Sequence, residues 1–140
     1  MTRNQVLSYA KTAYGTDPEY LFASDPDIAV LRNPSGKWYA IIMKISPKVL
    51  GHKRPVGMKT DDEIRGGISD NSRISDYEKI DVMNVKLEPM MVGSFLQKQG
   101  FYPAYHMNKT HWISMVLEKR KTISDADIKD LLDISYKLTE

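Results

Sequence analysis

Apolar residues recur along this chain at two spacings, and the points where the spacing changes predict its elements. Val6, Ala10, Ala13 and Tyr14 fall on one helical stripe. Thr2 with Gln5 three residues later forms a capping box that starts this helix, and Gly15 ends it. Residues 16–27 contain Asp17-Pro18 and Asp25-Pro26 and read as a loop. The period then drops to two. Ile28 to Arg32 and Lys37 to Ile45 are strands, joined through Asn33-Pro34-Ser35-Gly36 as a hairpin.

From 46 to 79 neither period holds, because glycines, prolines and charges interrupt single apolar residues. This is a long connection with a short helix around 60–65, and connections of that length in compact domains are often functional. Ile80 to Leu87 is a strand. Pro89 opens a second helix, where its missing N–H costs nothing, and Gly100 closes it. Two further strands span about 101–107 and 110–118, and Lys119-Arg120-Lys121 is a basic turn. Ser124 with Asp127 begins a last helix, whose stripe is Ile128, Leu131, Leu132 and Ser135.

The order α-β(3)-α-β(2)-α predicts a single α+β domain over 1–140, in two layers, with helices on one face of an antiparallel sheet and an irregular basic insertion at about 46–79. Alternation sorts the strand residues into two faces. Tyr39, Ile41, Met43 and Ile45, with Met83, Val85, Leu87, Ile113, Met115 and Leu117, form the more uniformly apolar set and are assigned to the helices. The other face then carries Trp38, Ala40, Ile42, Lys44, Asn84, Lys86, Pro103, Tyr105, Trp112, Ser114 and Val116. Left bare, it would be an aromatic and basic platform of the kind that stacks bases or anchors a protein partner; the alternative is that the 46–79 connection folds over it and buries both tryptophans.

Charge sharpens this picture. The net charge is only +2, yet between Asp27 and Asp61 there is no acid, while Arg32, Lys37, Lys44, Lys48, Lys53, Arg54 and Lys59 all fall there. A local basic patch can steer an anionic partner. The chain has no cysteine, which excludes disulfides and thiolate chemistry and suits a reducing cytoplasm. No apolar run reaches the roughly 18 residues of a membrane span.

The densest chemistry lies in Pro103 to Trp112, PAYHMNKTHW. A turn at Asn108-Lys109 would set His106 opposite His111, but two imidazoles fall short of the three or four ligands a metal needs. No nucleophile–base pair, phosphate-binding glycine loop or other catalytic motif is present, so neither a catalytic residue, a cofactor nor a metal is expected.

At this motif the chain resembles the MmcQ/YjbR family. Supporting matches are Asn84-Val85-Lys86-Leu87 before a helix opening at Glu88-Pro89, and the closing Leu131-Leu132-Asp133-Ile134-Ser135-Tyr136-Lys137-Leu138-Thr139. The family's motif positions fall here on Asn84, Lys86, Pro103, Tyr105, His106, Asn108, Lys109, His111, Trp112, Ser135 and Tyr136. The resemblance implies the same α-β(3)-α-β(2)-α fold, shared with secretion chaperones, and a DNA-binding label that stems from a suggested double-wing arrangement of hairpins. It implies no catalytic role.

Together these readings predict a non-enzymatic nucleic-acid-binding module. Lys48, Lys53, Arg54, Lys59, Lys86 and Lys109, with the 119–121 turn, would contact phosphates, and Tyr105 and Trp112 would stack on bases. The alternative is a protein-interaction module, chaperone-like or self-associating, that uses the mixed face or an open sheet edge.

Overall fold

The computed structural model describes residues 1–50, 79–117 and 122–140. Helix α1 (Arg3–Tyr14) begins at the predicted capping box: Thr2 Oγ1 accepts from the Gln5 N–H, and the Thr2 N–H donates to Gln5 Oε1. Strands β1 (Ala29–Arg32) and β2 (Trp38–Ile45) form the first hairpin, and a 3-10 turn follows over Pro47–Leu50. Strand β3 (Ile80–Lys86), helix α2 (Pro89–Phe95), strands β4 (Phe101–Pro103) and β5 (Trp112–Leu117), and helix α3 (Asp125–Leu138) complete the order. The five strands form one antiparallel sheet in the order β1-β2-β3-β5-β4. This is the predicted α+β architecture. The expected short helix at 60–65 and the 119–121 turn lie outside the described residues.

Gly100, at φ +92°, adopts a backbone conformation that costs glycine nothing, and a β-carbon there would stand 2.9 Å from Ile123 Cγ1. The residue is therefore fixed both by its conformation and by the close approach of the segment leading into α3.

The larger core lies between the sheet and the helices. It joins Val6 and Ala10 of α1, Leu31, Ala40, Ile42, Met83, Val85, Ile113 and Met115 of the sheet, and Ile128, Leu131 and Leu132 of α3. A tyrosine cluster seals one side. Tyr14 stacks on Tyr136, with centroids 4.4 Å apart and planes 10° apart, and Tyr39 meets both rings edge-on. The hydroxyls of Tyr9 and Tyr14 both donate to Asp133 Oδ1. Burial, and then the hydrogen bond to the Asp133 carboxylate, raise the pKa of both phenols above the usual tyrosine value. Burial pushes Tyr39 up to about 12.

The face assignment holds for β3, β5 and the first two residues of β2, Trp38 and Tyr39, and is reversed from Ala40 to Ile45. Ile41, Met43 and Ile45 lie on the side away from the helices, with Val82 and Val116, while Ala40 and Ile42 enter the main core. Two causes act together. Strand β2 is apolar on both sides, so alternation alone cannot orient it. The β1–β2 register also shifts: Leu31 pairs with Ala40 but Arg32 pairs with Trp38. Tyr39 is thus an extra residue that turns to the helix side beside Ala40, as a β-bulge allows.

The second face is consequently not bare. Ile41, Met43, Ile45, Leu50, Val82 and Val116 form a smaller buried cluster, against which Trp38, Tyr102, Tyr105 and Met107 pack. Trp38 and Trp112 are both half-buried, and Trp38 meets Phe22 edge-on. The open platform expected from the sequence is replaced by a closed cluster with a polar corner.

Candidate nucleic-acid interface

The corner is built where β3 and β5 end. Lys86 and Trp112 are direct cross-strand partners, and the next pair inward is Asn84 with Ser114. Both members of that inner pair are fully buried. Buried polar groups without partners cost about 1–3 kcal/mol each, so such a pair persists only where its bonds are met. Here they are met by one residue. Ser114 Oγ donates to Asn84 Oδ1 at 2.5 Å and accepts from the Tyr105 N–H at 2.9 Å, while Asn84 Nδ2 donates to the Tyr105 carbonyl at 2.9 Å. Two side chains in the sheet thus grip both backbone groups of Tyr105.

This grip shapes the loop from 104 to 111. Ala104 is buried, the Tyr105 and Met107 side chains pack on the second cluster, and His106 takes φ +58°. A left-handed conformation at a residue other than glycine persists when its surroundings over-determine it. Asn108 supplies the second anchor. Its Oδ1 accepts from the N–H groups of Thr110 and His111, its carbonyl accepts from the Trp112 N–H at 3.0 Å, and the His111 carbonyl accepts from the Leu87 N–H at 2.8 Å. His106, Lys109, Thr110 and His111 are left exposed on this frame. The His106 ring lies 4.0 Å from that of Tyr105, centroid to centroid. Beside them opens a hollow of about 260 Å³, lined in part by Ile28, Met43, Ile45, Tyr105 and His106, with Lys44, Lys79 and Asp25 also at its wall.

Ser135 holds the strand end from the other side of the sheet. Its Oγ donates to the Tyr39 carbonyl at 2.6 Å and accepts from the Lys86 N–H at 2.9 Å, relaying a ladder bond between β2 and β3.

The predicted residues therefore separate. Lys86, Tyr105, Lys109 and Trp112 lie at one corner, with His106 and His111. Asn84, Asn108 and Ser135 are anchors, and Tyr136 belongs to the tyrosine cluster. Lys53, Arg54 and Lys59 lie outside the described residues; Lys48 is in the 3-10 turn, its side chain undescribed. The expected pairing of His106 with His111 is absent, because β4 ends at Pro103 and the register, with Pro103 opposite Ile113, places Tyr105 rather than His106 toward position 111. Among the described residues no three metal-ligating side chains cluster, and no helix is long and apolar enough to cross a membrane.

Sequence reasoning overlooked the role of Ser114. A lone serine within the apolar strand Trp112–Leu117 was the available signal. It also overlooked the clasp at the first hairpin. There Asn33 Nδ2 donates to the Tyr136 carbonyl and to Thr139 Oγ1, and Ser35 Oγ donates to the Thr139 carbonyl.

Comparison with known proteins agrees with this architecture. The chain is 31% identical to the Bacillus subtilis protein YyaQ, over all of this chain and 99% of that one. A crystal structure of a Pseudomonas syringae protein superposes over the whole of both chains, with a TM-score of 0.76 and 33% identity. A Deinococcus radiodurans protein with a DUF419 domain, 19% identical, shares the fold at a TM-score of 0.62, over 98% of this chain and 77% of that one. The family model named YjbR matches residues 11–138, and with these relatives it shows that the chain belongs to the YjbR family.

Proposed function

We propose that this protein is a non-enzymatic nucleic-acid-binding module that works through the corner formed by Lys86, Trp112 and the 104–111 loop. The observation that carries the reading is pre-organisation. Buried Asn84 and Ser114 fix the backbone at Tyr105 and the Asn108 side chain fixes the turn after it, while His106, Lys109, Thr110 and His111 stand exposed on that backbone beside half-buried Tyr105 and Trp112. Binding residues held on a rigid frame lose little freedom when a ligand arrives. Lysine ammonium groups suit phosphate, and the half-buried indole and the paired Tyr105 and His106 rings suit base faces. Fluorescence anisotropy of labelled oligonucleotides over a salt series tests the reading. Affinity is expected to fall as salt rises, and binding that is absent or indifferent to salt would refute it.

A second reading has one observation behind it. Tyr20, Leu21 and Phe22 are 55, 46 and 38% exposed, an apolar run beside edge strand β1. Strand addition there is hindered, because Val30 already exchanges both backbone bonds with Glu19. The opposite edge, β4, is three residues long and ends in a proline. Protein association would therefore rest on side chains of the 20–22 run. Light scattering of wild type against Phe22→Ser tests it: a dimer lost on substitution favours association, and a monomer in both removes it.

A further inference from the structure

We infer that the preferred ligand at this corner is a single-stranded nucleic acid rather than a duplex, with a short footprint of a few nucleotides on the described residues. This inference rests on the nucleic-acid reading above and goes further, to the class of strand. Three observations carry it.

The first concerns the hairpin tips. A wing that enters a groove of a duplex must project from the body. The tip of the β1–β2 hairpin is tied to the end of α3 by Asn33 and Ser35. The β4–β5 connection is drawn down onto the sheet by Asn84 and Ser114, with Tyr105 and Met107 packed beneath it. Both connections are therefore tied back to the body, the first at its tip and the second at Tyr105, with only the short stretch from Asn108 to His111 exposed at the end of the second. The second concerns the surface beside the corner. Helices α1 and α3 contribute to the core on the opposite face of the sheet, so neither is offered from the second face to a major groove, the usual way a duplex is read.

The third is the balance of charge and aromatic surface. At the strand end the described residues place two lysines, Lys86 and Lys109, with Lys44 and Lys79 farther off at the wall of the hollow, fewer than the roughly 6–10 phosphate contacts of a strongly salt-dependent duplex binder. Trp112 stands there too, and the Tyr105–His106 ring pair borders a hollow of about 260 Å³ that opens toward the Ile45 end of β2. That hollow is smaller than the roughly 300–1,000 Å³ of drug-sized sites. In a duplex the bases are stacked and their faces hidden. In a single strand a base can leave its neighbours and lie on an aromatic ring.

The test uses the full chain carrying Trp38→Phe, so that Trp112 is the sole tryptophan. It is titrated with a short single-stranded oligonucleotide and with the matching duplex at equal salt. Tighter single-strand binding by roughly tenfold or more, the weight of one stacked base, is expected, with quenching of Trp112. The salt slope for the single strand is expected near −0.7 per phosphate neutralised, about −1.4 for two lysines. The double variant Lys86→Gln, Lys109→Gln removes two charges, one at an exposed and one at a half-buried position, and should flatten that slope while circular dichroism shows the protein still folded. Duplex binding as tight as or tighter than single-strand binding would overturn this inference and leave the broader reading standing. No salt-sensitive binding to either form would overturn both.

Discussion

The two faces of the sheet bury apolar side chains to a similar depth, yet they are closed by different means. On the helix side, closure comes from three helices and a tyrosine cluster, and the Ser135 hydroxyl bridges β2 and β3 from above. On the other side, the described closure comes from Leu50, Tyr102, Tyr105 and Met107, with Asn84 and Ser114 holding the loop in place. The first arrangement supplies stability through area. The second spends fewer contacts and in return displays an ordered set of exposed side chains. On the nucleic-acid reading proposed above, one face holds the fold together and the other serves recognition.

Several substitutions would sharpen or break that division. The largest effect belongs to the helix side: Leu132→Ala, at a fully buried position of α3, should cost about 2–5 kcal/mol in chemical denaturation. Ser114→Ala should cost less, about 1–3 kcal/mol, because it leaves Asn84 Oδ1 and the Tyr105 N–H without their partner. Its signature is local: amide exchange should speed up at Tyr105 to His111 and stay unchanged in α1. Uniform acceleration would mean that the second face is no separate unit.

The tyrosines give a pH test of the helix side. A phenol whose folded pKa is raised is favoured in its neutral form by the fold. Its contribution is therefore fully present below the ordinary value of 10.0 and is lost as pH rises through the folded value, about 12 for Tyr39. Denaturation midpoints should fall across that alkaline window, and Tyr39→Phe should flatten the fall. Thr2→Ala, which removes half of the capping box, should cost about 1 kcal/mol. Smallest of all, His106→Gly should change stability by less than about 1 kcal/mol, since glycine accepts φ +58° freely, while weakening oligonucleotide binding. A large loss of stability would make His106 structural.

The sequence revealed the element order because helical and strand periods are local properties. Thr2, Pro89 and Ser124 each mark a helix start by a mechanism that acts within one turn, whereas Gly100 does not end α2, which stops at Phe95 and is capped at Leu96. It failed on β2 because a strand apolar on both sides has no preferred orientation until its neighbours choose one, and the bulge at Tyr39 adds a residue that no period anticipates. The corner was legible in part. Lys86, Tyr105, Lys109 and Trp112 were named and do come together, but the loop between Pro103 and Trp112 was read as continuing strands. Its course is set by Asn84 and Ser114, which approach it from across the sheet, and such long-range bonds leave no local trace. The tyrosine cluster was hidden for the same reason: Tyr14 and Asp133 are 119 residues apart.

The most direct test of the account is chemical-shift mapping of the isotope-labelled protein with a short single-stranded oligonucleotide. Perturbations concentrated at Lys86, the 105–111 loop and Trp112, and fading as salt is added, are the predicted result. A spectrum that does not change, or one in which the changes gather on the 20–22 run or the helix-covered side, would contradict it.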